Sequence, residues 1–414
     1  MLTRTGRVVD QRRLLGHLDR LGRIGADDRG GVTRPGFGAA DRDAHRYVAE
    51  QARALGLVST VDAAGNLFVR RRHAEPDRQV LLIGSHLDSV TYGGRYDGTY
   101  GVVAALEVLA TLADRPEPLA YEPVAVAFAN EEGTRFPSPF FGSKAMVGAV
   151  DQPESIVDRD GCPLRDPLRA AGGDLDALPS AAWPAGRLAG FLELHVEQGP
   201  VLENAGVPVG VVDVVTGRTV FDIVLRGRQN HAGTTPMADR CDALVAAARV
   251  VLAIEDLARQ RRLCSVATVG ILAADPNVTN VVPGAVALTA EIRDGSAGRL
   301  AEAERAVSQI LAGLDPRLRV SLDVTRLSAP VATAERFRSA TAAAAADLQL
   351  PVMTLPSGAG HDAQIVAAAG PVGVMFVPSH DGISHAPQEF TAPADLVNGA
   401  NVLLGTVMSL LDPP

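Results

Sequence analysis

Cysteine is nearly absent from this chain. The three present, Cys162, Cys241 and Cys264, lie far apart and without Cys-x-x-Cys spacing, so neither a disulfide framework nor a thiolate metal site is expected, and a reducing, cytoplasmic setting fits best. An excess of positive charge is lacking too. The 39 Lys and Arg are outnumbered by 48 Asp and Glu, a formal net charge of -9, which argues against a nucleic-acid partner whose phosphates reward clustered cations. The first seven residues carry no apolar signal-peptide core, and nowhere is there an unbroken apolar run of about 18 residues, so no membrane partner is expected. Aromatic residues are sparse at 4 %, but 47 % hydrophobic and 21 % charged residues are ordinary for a globular protein. A length of 414 residues exceeds the usual single-domain range, so two domains are expected.

Apolar runs that read as buried strands alternate with helical patterns in the first half: residues 80–84, 101–113, 123–129 and, later, 191–195. This is the pattern of an α/β sheet covered on both faces, in which functional groups gather beyond the carboxyl ends of the strands. His86, Glu131, Glu132 and His195 each end or follow such a run. From about residue 214 the texture changes. A strand at 218–226, a helix at 239–258, strands at 265–272 and 285–293, a helix at 297–314 and a strand at 317–324 make a β-α-β-β-α-β order, which is that of a ferredoxin-like unit. An alanine-rich helix at 334–348 and a strand at 372–377 then return the chain to the first domain. Residues 1–213 with 328–414 are thus expected to form one domain and 214–327 an insertion, with the Pro- and Gly-rich stretch 161–184 as an irregular or mobile surface loop.

Five short segments carry the chemistry. Gly84-Ser85-His86-Leu87-Asp88 puts an imidazole at a strand end, with Asp88 placed to accept from it and fix its tautomer. Gly93-Gly94-Arg95-Tyr96-Asp97-Gly98 presents a carboxylate on a tight turn before a helix, and Asp97 is the candidate to bridge two cations. In Asn130-Glu131-Glu132-Gly133 two adjacent carboxylates repel each other unless a cation or proton intervenes. One coordinating metal while the other serves as a general base would resolve this. His195-Val196-Glu197-Gln198-Gly199-Pro200 adds a second imidazole and an amide, and Ser384-His385 a third imidazole. Arg293, at the end of a strand, suits a bidentate grip on a carboxylate; its plainer role is an ion pair with Glu291 or Asp294.

Together with Asn230-His231-Ala232-Gly233-Thr234-Thr235-Pro236-Met237, these segments resemble the amidase, hydantoinase and carbamoylase branch of the M20 metallopeptidase family, over about residues 31–390. In the true peptidases of that family the position of His195 is usually an aspartate, so the His-x-x-Gln form points to the branch that cleaves ureido compounds. The resemblance implies an aminopeptidase-like α/β/α catalytic domain with an inserted ferredoxin-like α+β dimerisation or lid domain, and a homodimer in which one subunit can complete its partner's site. It implies that His86, Asp97 and His195 bind one divalent metal ion and Asp97, Glu132 and His385 a second, with Glu131 as the base. The ligand set admits zinc, manganese, cobalt or nickel. Gln198, His231, Asn280 and Arg293 would contact substrate, with His231 stabilising the oxyanion. Ser357-Gly358-Ala359-Gly360-His361-Asp362-Ala363 resembles a further family loop in which Gly358 and Gly360 allow close approach. His361 there either orients substrate or bonds Asp362.

The expected reaction is hydrolysis of an N-carbamoyl-L-amino acid to the amino acid, carbon dioxide and ammonia. Alternatives within the branch are an allantoate amidohydrolase, a β-ureidopropionase or an amidase for an unusual N-acyl amino acid. From another class, the rival is a silent homologue that only binds a ligand; the intact Glu131 beside an intact ligand set argues against it. His17, His45, His73 and His380 have no such context and read as structural or surface residues.

Overall fold

A computed structural model describes residues 7–73, 77–113 and 119–412. The chain divides into two compact units, Met1–Asp213 with Thr333–Pro414, and Val214–Ala332.

At the centre of the first unit lie four parallel strands. Val80–His86 pairs with Glu122–Phe128 on one side and Leu188–Val196 on the other, and Leu188–Val196 pairs with Val372–Val377. Every residue of these four is buried, which explains why they read as unbroken apolar runs rather than alternating ones. Pairing register aligns the strand ends. His86 is opposite Phe128 and His195 opposite Phe376, so the carboxyl ends finish level and the loops after them share one edge. Antiparallel pairings extend the sheet on both sides, Leu67–Arg70 and Val58–Val61 at one end, Val209–Val215 and Val331–Ala332 at the other, and Val352–Ser357 also pairs with Val209–Val215.

Helix Thr99–Leu112 is buried on all sides against the strand Val80–His86 and the helices Gln11–Leu21 and Pro393–Leu411. It includes Glu107, whose carboxylate is met by the Arg13 guanidinium at 2.7 and 2.8 Å. Pro393–Leu411 has the length and apolar composition of a membrane span, yet 61 % of that window is buried inside the unit; it is a core helix. Gly84 is fixed by strand packing. A Cβ there would stand 2.0 Å from the Val126 carbonyl oxygen, and Gly84→Ala should lower unfolding free energy by about 3 kcal/mol, measured by urea denaturation, whereas Gly270→Ala, in a strand with open space around it and no positive φ, should cost little and so tests whether the cost is steric.

The second unit has a four-stranded antiparallel sheet in the order Arg319–Ser328, Gly217–Arg226, Ala285–Asp294, Val266–Asp275. Helices Ala243–Arg259 and Ala297–Ala312 cover one face through Phe221, Ile223, Leu225, Leu288 and Ile292. The first helix begins four residues later than its periodicity suggests, because the Asp242 side chain accepts from the Leu244 and Val245 N–H groups and so caps it there. A small ladder pairs Asn230–His231 with Val281–Val282.

Residues 161–184 are largely irregular, as expected, but packed rather than mobile. They hold the helix Arg165–Ala170 and the turn Leu178–Ala181, and Leu164, Leu168, Leu175 and Leu178 pack with Phe37, Phe136 and Phe141. Leucines spaced among prolines and glycines supply an apolar face without a regular period, which is why the segment reads as loop.

Candidate metal centre

All four level strand ends deliver the site, the fourth through the loop after Val372–Val377 that carries His385. His86 ends one strand, His195 lies near the end of another, and Asn130–Gly133 follows the third. Between His86 and helix Thr99–Leu112 the chain turns at Gly98, whose φ of +60° and whose missing side chain leave room for the His86 ring; a Cβ there would lie 2.4 Å from it. That turn aims Asp97 into the space between the histidines.

Asp97 sits at the centre of two groups. Its Oδ1 is 3.0 Å from His195 Nε2 and 3.6 Å from His86 Nε2, and its Oδ2 is 3.0 Å from His385 Nε2. Glu132 Oε1 is 3.7 Å from His385 Nε2, and Glu131 Oε2 is 3.7 Å from His86 Nε2. Donor atoms of His86, Asp97 and His195 lie within 4.8 Å of one another, as do those of Asp97, Glu132 and His385. A third such group, Glu203, His380 and Asp381, is exposed, and there His380 Nδ1 already pairs with Glu203 at 2.6 Å.

The charges explain the strain of this arrangement. Burial pushes Glu131 well above the usual carboxylate range, and Glu132, Asp362, Asp88 and Asp97 add to the effect. Burial, then Asp97, pushes Glu132 up to about 8. His86 is pushed down to about 4 by burial. Burial is the largest influence on His195 and opposes its charge, but the hydrogen bond to Asp97 together with the charges of Asp97 and Glu193 outweighs it and raises the imidazole to about 9; its own hydrogen bond to Asp97 is the main cause that raises His385 to about 9. Burial would raise Asp97, yet the His195 and His385 contacts hold it well below the ordinary value. Without a cation, protons must carry the positive charge that these carboxylates need. Divalent ions would displace those protons.

Asp88 has a different use from the one expected. It is the main-chain oxygen of Asp88 that lies 3.0 Å from His86 Nδ1, while its carboxylate is 3.7 Å away. Its Oδ1 and Oδ2 instead accept from the N–H groups of Glu131 and Glu132 at 3.0 and 3.1 Å. The carboxylate therefore aims the glutamate pair, a long-range contact that a two-residue spacing could not disclose. Of the two roles expected of His361, the bond to Asp362 is not the one formed: it bonds Ser357 Oγ at 2.8 Å and stands edge-on to His195 with ring centroids 4.9 Å apart. Asp362 accepts from Ser143 Oγ at 2.6 Å. Gln198 donates from Nε2 to Asp97 Oδ2 at 3.0 Å and to Ser384 Oγ at 3.1 Å. Gly358 faces open space, whereas Gly360 abuts Phe140.

In the second unit, His231 and Asn280 are neighbours, since the N–H of Ala232 donates to the Asn280 carbonyl at 2.9 Å. His231 is exposed, and its Nδ1 accepts from the N–H groups of Gly233 and Thr234 at 3.0 and 3.3 Å. An accepting Nδ1 puts the proton on Nε2 and makes that atom a donor. Arg293 pairs through Nε with Glu291 Oε1 at 2.6 Å. It pairs with Arg218 in register while Ala285 pairs with Arg226, so Arg293 lies eight residues along the strand from the end nearest His231, roughly 27 Å by strand rise.

Two buried acids escaped detection in the sequence. Glu193 accepts from Ser85 Oγ at 2.7 Å and from the Ala363 N–H at 2.9 Å; a charge inside the apolar run Phe191–His195 was its only signal. Glu389 accepts from Tyr96, Asp97 and Ser384, and nothing local marked it.

The model of peptidase family M20/M25/M40 matches residues 82–409. The chain belongs to the M20 family. An N-carbamoyl-L-amino acid amidohydrolase of Geobacillus stearothermophilus is 40 % identical over 407 residues, covering 97 % of this chain and 99 % of the relative. An allantoate amidohydrolase of Bacillus subtilis (strain 168) is 33 % identical over 402 residues, covering 95 % and 96 %. Among solved structures, a hydantoinase/carbamoylase family amidase from Burkholderia multivorans superposes with a TM-score of 0.88 at 35 % identity, covering 98 % of this chain and 99 % of its own. The M20 assignment agrees with the mixed α/β architecture and with the two ligand groups built around Asp97.

Proposed function

We propose that this M20 enzyme is a two-metal amidohydrolase that cleaves the carbamoyl C–N bond of an N-carbamoyl-L-amino acid, releasing the amino acid, carbon dioxide and ammonia. The observation that carries this reading is Asp97, with one carboxylate oxygen toward His86 and His195 and the other toward His385. His86, Asp97 and His195 would hold one divalent cation, and Asp97, Glu132 and His385 the other. Glu132 Oε1 supports the fit, because it is buried without a hydrogen-bond partner, a costly state for a carboxylate oxygen unless a cation takes it. Zinc, manganese, cobalt and nickel all suit such nitrogen and oxygen donors. Two such ions supply Lewis acidity toward the ureido carbonyl and the attacking water.

The chain's own residues divide the remaining work. Glu131, aimed by Asp88, takes a proton from the attacking water and passes it to the leaving nitrogen. His231 offers its Nε2–H to the developing oxyanion, with Asn280 beside it. Arg293 exchanges Glu291 for the substrate carboxylate, and Gln198 and the loop of Gly358, Gly360 and His361 line the site. The distance of Arg293 from His231 along the second unit favours a homodimer, since one small substrate cannot span roughly 27 Å; His231 and Asn280 would then serve the partner's site.

A reading as allantoate amidohydrolase draws support from the Bacillus subtilis relative. Both are tested with metal-depleted protein resupplied with manganese, zinc, cobalt or nickel, following ammonia and amine release from N-carbamoyl-L-amino acids and allantoate. Metal-dependent turnover of the carbamoyl compounds above that of allantoate is expected. The reverse order would move the assignment to allantoate, and silence on both substrates with metals bound would overturn it.

A further inference from the structure

Glu389 belongs to neither ligand group, yet it is 4 % exposed and its hydrogen bonds all lead to them. Its Oε1 accepts from the main-chain N–H groups of Tyr96 at 2.8 Å and Asp97 at 3.1 Å. Its Oε2 accepts the Ser384 hydroxyl at 2.8 Å. Ser384 in turn accepts from Gln198 Nε2 at 3.1 Å, and that amide donates to Asp97 Oδ2 at 3.0 Å. A closed ring results, running from Glu389 through Ser384 and Gln198 to Asp97 and back. Gly94 leaves the space it needs, since a Cβ there would fall 2.0 Å from Glu389 Oε1.

One buried carboxylate therefore ties together three chain segments: the turn before helix Thr99–Leu112, the loop after strand Leu188–Val196, and the loop that carries His385. Burial of an acid is costly, and two main-chain donors and a hydroxyl offset it here. A carboxylate meets this geometry because both of its oxygens accept. A carboxamide offers one accepting oxygen; with that oxygen on the Tyr96 and Asp97 N–H groups, its NH2 would face Ser384 Oγ and the Ser384 O–H would lose the acceptor it has in Glu389 Oε2.

The two ligand groups depend on this ring unequally. His86 and His195 are held by fully buried strands. His385 is on a loop, with a φ of 54° and a side chain 50 % exposed, so its placement against Asp97 Oδ2 relies on what holds Ser384 beside it. The geometry points to Glu389 as a positioning residue that sets Asp97 Oδ2 against His385 and thereby governs the cation site of Asp97, Glu132 and His385 more than that of His86, Asp97 and His195. This rests on the two-site reading above.

The test is zinc titration of the metal-depleted full chain in competition with a chromophoric chelator. The wild-type protein should bind two zinc ions per chain. Glu389→Gln should weaken one site by about ten- to a hundredfold and the other by less than about threefold, a split that general loosening would not produce. Ser384→Ala removes the hydroxyl that Oε2 accepts, and with it an acceptor for Gln198 Nε2, but leaves the Oε1 arm on Tyr96 and Asp97; it should weaken the same site by a smaller factor, which keeps the test open should Glu389→Gln fail to fold. Two zinc sites of wild-type affinity in both variants, or equal weakening of both sites, would overturn the role of Glu389. Fewer than two zinc ions on the wild-type protein would instead overturn the two-site reading, and this proposal with it.

Discussion

Glutamine at position 131 should lower turnover by about a thousandfold, the size of effect expected when a general base is removed, while metal content stays at the wild-type level. The substitution keeps shape and the main-chain N–H that Asp88 Oδ1 holds at 3.0 Å, so what is lost is the ability to take a proton. Glu132→Ala should behave differently. Its side chain is in the group with Asp97 and His385, so activity and metal content should fall together. Ammonia release and metal content per chain, measured on both variants, separate the roles. Full turnover by Glu131→Gln beside an inactive, fully metallated Glu132→Ala would exchange them.

The parts of this molecule visible in the sequence are those whose cause is local. Buried parallel strands need apolar side chains on both faces, so 80–84, 123–129, 191–195 and 372–377 announce themselves. His86, Asp97, Glu131, Glu132, His195 and His385 stand out because polar groups follow those runs at strand ends, where α/β sheets expose their loops. The flanking strand Val209–Val215 was not distinguished, since its pairing is settled by partners far along the chain. The same cause hid what supports the ligands. Asp88 looks like a partner for His86 two residues away, yet its carboxylate reaches 43 and 44 residues on to Glu131 and Glu132. Gln198 is expected to contact substrate, and its spacing could not disclose that its amide also donates to Asp97 Oδ2, 101 residues away. Glu389 binds Tyr96 across 293 residues, and no spacing rule reaches that far. Arg293 shows a choice left open by sequence: of its two expected partners, Glu291 is the one at Nε.

Arg293→Ala and His231→Ala, each nearly inactive alone, should regain about a quarter of wild-type activity after subunit mixing and equilibration, the statistical yield for a twofold-symmetric dimer whose sites draw on both chains. The reason is geometric. His231 is held beside Asn280 by the ladder Asn230–His231 with Val281–Val282, whereas Arg293 is near the opposite end of strand Ala285–Asp294, paired with Arg218. If each site takes Arg293 from one chain and His231 from the other, a mixed dimer contains one site with both residues intact and one with neither. If both residues of a site came from one chain, every site would lack one of them and mixing would restore nothing. Glu291→Gln supplies a companion result. It removes the carboxylate that holds Arg293 Nε at 2.6 Å, so KM for an N-carbamoyl acid should fall; a KM unchanged by Glu291→Gln, together with equal losses on acid and amide substrates in Arg293→Ala, would exclude Arg293 as the carboxylate clamp. Loss of a charged partner to a bound carboxylate is worth about 2 to 5 kcal/mol, enough to place Arg293→Ala far outside the scatter of ordinary surface substitutions.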